Sequence, residues 1–145
     1  MIVYRICQTY PPEHNPMDGR GAFLYGGRWN NIGQHALYTA SSLALARAEL
    51  ARHIDLSCLP DDYSVYEIEV PDVPYKEIHP LPHGWDHDPP GIVSQQMGDQ
   101  ILKDYTKLGF KVASVCSPNE FNLVLNPLSK LFDEVKVTRS YPFKA

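Results

Sequence analysis

Between residues 71 and 90 the chain places six prolines, in PDVPYKEIHPLPHGWDHDPP. Proline fixes φ and removes a backbone donor, so neither a helix nor an interior strand continues far through such a stretch. Regular structure can therefore be only short within it, and the longer elements are expected in the two blocks on either side. In the first block, residues 2–7 alternate loosely and predict a short strand. Residues 10–15 are Pro-rich and polar and predict a loop, and residues 36–39 predict a second short strand. Residues 41–54 form the clearest helical pattern, with Ser41 or Ser42 as its cap. Leu43, Ala46, Leu50 and Ile54 make an apolar stripe at helical spacing, and Glu49 lies off it with Leu45 and His53, at the edge of the buried face. Residues 63–70 alternate well and predict a strand. In the second block, residues 94–108 predict a helix stopped by Gly109, and strands are predicted at 110–115, 122–125 and 135–138. Strands outnumber helices and do not alternate regularly with them, which points to an α+β fold rather than a doubly wound α/β sheet.

A length of 145 residues suits one domain over 1–145, and 43% hydrophobic content suits a globule with a core. The formal net charge of -4 argues against general nucleic-acid binding, which needs a basic footprint, but allows one phosphorylated small molecule in a locally basic pocket. Cys7, Cys58 and Cys116 are odd in number, far apart and form no CxxC pair, so they read as buried thiols in a reducing compartment rather than as disulfides or zinc ligands. With no leader and no apolar run long enough for a bilayer, the expectation is a soluble cytoplasmic protein. His79, His83 and His87 have helical spacing, but the surrounding prolines deprive that spacing of meaning, and no metal site is expected.

Five of the nine glycines fall within residues 19–33, marking a loop that turns tightly or approaches something closely. Within it lies Gly26-Gly27-Arg28-Trp29-Asn30. Arg28 can present a bidentate fork to a pyrophosphate while backbone N–H groups at Gly27 approach the same oxygens. It also fits a surface turn whose Arg pairs with a carboxylate, in which Asn30 simply holds the turn. Tyr38 can stack on a flat heterocycle or be an ordinary half-buried tyrosine. Glu49 can face a pocket or pair on the helix surface with Arg52. Ser114 and Asn122 can line a pocket, or belong to turn chemistry around Pro118-Asn119. Neither a P-loop nor a GxGxxG fingerprint is present.

Taken in order, these residues resemble the RES domain family from about Tyr4 to Phe143. GRGAFLYGGRWNNIGQHALYTASSLALARAELARHI is similar to the family's central stretch, and MGDQILKDYTKLGFKVASVCSPNEFNLVLNP to its second block. Anchoring on Pro118, Glu120, Asn122 and Asn126-Pro127 places the family serine at Ser114, not Ser117. Ala113 stands where the family often has Pro, and Pro142-Phe143-Lys144-Ala145 where many members have an Asp-x-Arg segment. The resemblance implies a fold similar to ADP-ribosyltransferases, with small mixed or antiparallel sheets and flanking helices. It implies the toxin of a type II toxin–antitoxin pair that depletes NAD by cleaving the nicotinamide–ribose bond. NAD is then a substrate and no cofactor is needed. The implied partner is an Xre-type helix-turn-helix antitoxin that covers the site and itself binds DNA. The toxin touches neither nucleic acid nor membrane and is expected to form homo-oligomers within the complex.

On this resemblance Glu49 stabilises the ribose-centred transition state, Arg28 grips the pyrophosphate and Tyr38 contacts the nicotinamide or its ribose. Gly27 and Asn30 belong to the binding loop, and Ser114 and Asn122 position the nicotinamide end or its ribose. One carboxylate suffices because nicotinamide leaves as a neutral molecule and needs no general acid, unlike an ordinary glycosidic leaving group. Transfer of ADP-ribose to a protein or to phosphate rather than to water, and a noncatalytic binding module, are the competing expectations.

Overall fold

The computed structural model describes residues 1–9 and 14–145. Residues 10–13 of the expected loop at 10–15 lie outside the described residues. The elements run β1 (Ile2–Gln8), α1 (Arg20–Tyr25), β2 (Leu37–Ala40), α2 (Leu43–His53), β3 (Tyr63–Glu69), β4 (Lys76–Glu77), α3 (Ile92–Leu102), β5 (Gly109–Ala113), β6 (Phe121–Leu125) and β7 (Lys136–Pro142). The fold is α+β. The strands make one mixed sheet in the order β4-β5-β6-β2-β1-β3-β7, antiparallel except for the β4–β5 pair.

The sheet is nearly two sheets. β1 and β3 pair along seven residues, but β1 and β2 share only the pair Tyr4↔Ala40. On one side of that junction stand β4, β5, β6 and β2, and on the other β1, β3 and β7. α2 packs over the junction against both β1 and β2.

Period-2 alternation supplies apolar side chains to both faces. On β6, Leu123 and Leu125 join Val3, Leu37 and Ile68 in one core, whereas Val124 joins Trp29, Phe110 and Leu102 in another beneath α3. A third, smaller cluster of Ala40, Leu45 and Ala46 seats α2.

Three local expectations need correction. The glycine-rich stretch holds a six-residue helix, α1, bounded by Gly19 (φ 68°) and Gly26 (φ 74°) in left-handed backbone. The second helix ends at Leu102 rather than 108, because Asp104 accepts from the backbone N–H and hydroxyl of Thr106 and closes a turn. Gly109 is therefore not a helix stop; it opens β5, where a Cβ would run into the carbonyl of Val124. On α2 the buried positions are Leu45 and Ala46, so the inward face is rotated from the expected stripe. Glu49, one turn beyond both, is half-buried, as expected at the edge of the buried face.

Candidate active site

Ser42 caps α2, its Oγ accepting from the Leu45 N–H at 3.1 Å. One turn further, Glu49 points toward the sheet. Its two oxygens are each taken by one donor from the opposite wall. Ser114 Oγ donates to Oε1 at 2.8 Å and Asn122 Nδ2 donates to Oε2 at 3.0 Å. Ser114 has no exposed surface, and its hydroxyl also accepts from the Cys116 N–H. Asn122 Nδ2 also donates to the Thr39 carbonyl at 3.2 Å. The carboxylate plane is thus fixed from two strand ends. The surface pairing of Glu49 with Arg52 does not form; Arg52 lies 3.8 Å from Asp88 instead.

Glu49 borders a cleft of about 570 Å³ beside the β1–β2 junction, lined also by Arg5, Gly27, Arg28, Tyr38 and Asn122. That volume falls within the range of about 300–1,000 Å³ usual for small-molecule sites. Of the expected site residues, five therefore face one space.

The other two sit behind it. Asn30 has no exposed surface, and its side chain is held within the loop. Its Nδ2 lies within bonding range of the carbonyls of Ala22, Asn31 and Gln34, and its Oδ1 accepts from Tyr38 Oη at 2.7 Å. Ser114 reaches the site only through Glu49. Tyr38 Oη in turn accepts from the Trp29 N–H at 3.0 Å. Burial drives the Tyr38 pKa well above the ordinary phenol value, so the group stays neutral. Gly27 packs against this hydroxyl: a Cβ there would lie 2.8 Å from Tyr38 Oη and 2.9 Å from Asn30 Oδ1.

Arg28 projects from the loop and is half-buried. Its Nη1 donates to the carbonyls of Trp85 and His87, both at 2.8 Å. Among the described residues, Nε and Nη2 have no protein partner and remain free for a ligand. Burial, and next the charge of Arg52, lower its pKa, but a guanidinium keeps its charge at neutral pH.

Two cleft residues were missed. Arg5 on β1 donates from Nε to the Pro16 carbonyl and from Nη1 to the Tyr38 carbonyl, across the thin junction of the sheet. His53 lines the cleft one turn beyond Glu49. A charged residue inside the loosely alternating first strand was the available signal for Arg5. Among the described residues, no three His, Cys, Asp or Glu side chains converge as a metal site would need. Cys7, Cys58 and Cys116 are free thiols, and burial raises the pKa of Cys7. Among the described residues no helix is long and apolar enough to cross a membrane.

The chain matches the RES domain over residues 2–145 and belongs to that family. It is 34% identical over 134 residues to "Toxin Res" of Photorhabdus laumondii, covering 91% of this chain and 85% of that protein. It is 38% identical to "Toxin Res" of Yersinia enterocolitica, with 91% and 88% covered. It is 40% identical over 126 residues to "Prs ADP-ribosylating toxin" of Sphingobium sp., with 83% and 77% covered. Its fold is similar to a chain in the crystal structure of the M. tuberculosis MbcT-MbcA toxin-antitoxin complex, with a TM-score of 0.77 at 17% identity over 99% of this chain and 84% of that one.

Proposed function

We propose that this chain is the toxin of a toxin–antitoxin pair and that it depletes NAD by breaking the bond between nicotinamide and ribose C1′. The observation that carries the reading is Glu49, held by Ser114 and Asn122 at a cleft that also presents Arg5 and Arg28. Two guanidiniums suit a pyrophosphate, since each offers several donors in a fixed fork. A single oriented carboxylate suits a substrate whose ribose carbon becomes cationic as the bond breaks.

In this reaction the C1′–N bond breaks and its electron pair leaves with the nicotinamide nitrogen as a neutral ring. The oxocarbenium-like carbon is stabilised by the Glu49 charge. Water or inorganic phosphate then bonds to C1′. Water loses one proton to solvent and leaves ADP-ribose; phosphate leaves ADP-ribose-1″-phosphate. Tyr38, neutral and fixed, supplies the wall against the nicotinamide or its ribose. The partner is an antitoxin of the Xre type that covers the cleft, and the toxin acts in the bacterial cytoplasm, as a homo-oligomer within the complex. The net charge of -4 leaves DNA binding to the partner.

A second reading is ADP-ribose transfer to a protein, supported by the 40% identical relative whose name describes ADP-ribosylation of Prs. Antitoxin-free protein incubated with NAD, with products identified by mass spectrometry, separates the two. Free nicotinamide with ADP-ribose or its 1″-phosphate supports depletion. Nicotinamide release that appears only with an added protein, which gains ADP-ribose, supports transfer. No nicotinamide under either condition overturns both.

A further inference from the structure

α3 carries a set of side chains that the reaction above does not use. Gln95, Gly98 and Asp99 fall at helical spacing on one face. Each meets the backbone that carries Arg28. Gln95 Nε2 donates to the Gly27 carbonyl at 3.1 Å. Asp99 accepts twice from one residue: Oδ1 from the Asn31 N–H at 2.9 Å and Oδ2 from Asn31 Nδ2 at 2.8 Å. Gly98 stands where the Trp29 carbonyl passes, and a Cβ there would collide with it. The helix thus holds residues 27, 29 and 31, on both sides of Arg28. The helix is itself anchored, by the buried Leu102 and by Asn126 Nδ2 donating to its carbonyl at 2.8 Å.

Asp99 is a half-buried carboxylate with no salt bridge among the described residues. Keeping a charge there is costly unless its hydrogen bonds compensate. Neither Gln95 nor Asp99 lines the cleft. Whatever they contribute to the site passes through the loop.

We propose that Asp99, seconded by Gln95, is a positioning residue for Arg28. The inference rests on the reading of Arg28 as the pyrophosphate grip. Arg28 is a long side chain at the tip of a loop, so a shift of that backbone displaces the guanidinium fork and weakens its grip on a bound pyrophosphate. Asn at position 99 would keep one acceptor and turn its NH2 toward the NH2 or N–H of Asn31, breaking one bond and opposing two donors.

The test is Asp99→Asn in the full chain, read by NAD kinetics and by hydrogen exchange of individual amides. KM for NAD should rise about tenfold with kcat within about threefold of wild type, as expected when a binding contact weakens. Exchange should quicken at Asn31 and spread to residues 27–29, while β6 stays protected. A lower kcat with unchanged KM, or faster exchange confined to Asn31, overturns the proposal. Should wild-type protein consume no NAD, the proposed function fails, and the spread of exchange still judges the clamp. If Asp99→Asn does not fold, Gln95→Ala serves with the same expectations, and an unchanged KM and loop exchange in that variant count against it.

Discussion

Glu49 derives its geometry from two donors far away in sequence, Ser114 at 65 residues and Asn122 at 73. That separation explains what could and could not be read beforehand. Family spacing marked all three as site residues, but nothing in a linear pattern shows that two of them serve the third. Ser114 and Asn122 read as ligand contacts; their hydrogen bonds go to the carboxylate. Asn30 was likewise legible as part of the loop, while its complete burial was not. Ser114→Ala should lower kcat about tenfold or more with little change in KM, because a misaligned carboxylate fails in the transition state rather than in binding. Steady-state nicotinamide release checks this, and a change confined to KM would return Ser114 to ligand binding. Asn30→Ala should cost roughly 1–3 kcal/mol, since it removes the acceptor of the Tyr38 hydroxyl proton and the side-chain donor that the loop carbonyls share. A melting temperature equal to wild type would contradict that account.

At the scale of elements, the site is an α2 side chain set against β5 and β6 and faced by a loop that α3 holds down. α2 was legible from its cap and apolar pattern, although the inward face is centred on Leu45 and Ala46 rather than on the expected stripe. That rotation depends on what the helix packs against, which no intrahelical period records. α1 was hidden because the glycines that bound it suggest a loop, and the end of α3 because an Asp104 turn replaces the stop expected at Gly109. The contact between α3 and the Arg28 loop predicts a strict size limit. Gly98→Ala should destabilise the protein by about 1–3 kcal/mol through overpacking against the Trp29 carbonyl, even though alanine favours helices. Chemical denaturation measures this; an unchanged or higher midpoint would show that helix and loop can part without cost.

At the scale of the whole molecule, the α+β class followed from the irregular order of predicted strands and helices. The strand order did not, because β2 sits between β6 and β1 and joins the halves through one residue pair. The cleft at that junction is a product of topology, and Arg5 belongs to it for the same reason. Burial also sets the behaviour of the fold in alkali. Tyr75 is pushed from 10.0 to about 12 by burial and then by the charges of Asp72 and Glu134, and Tyr38 is raised further by burial. A raised tyrosine keeps its proton in the native state after the unfolded chain has lost it. Its contribution is therefore fully present below pH 10.0 and is lost as pH climbs through about 12. Stability should fall steeply above pH 10, and Tyr75→Phe should make that fall shallower in equilibrium unfolding at pH 9 to 11; equal slopes for the two proteins would contradict it.

The proposed reaction rests on one charge, that of Glu49, and one comparison tests it most directly. Purified wild-type protein and Glu49→Gln, each shown to be folded, are given NAD and followed for nicotinamide release. Wild type should release nicotinamide, and the variant, isosteric but uncharged, should be slower by about a hundredfold or more. Release by Glu49→Gln at close to the wild-type rate would contradict it.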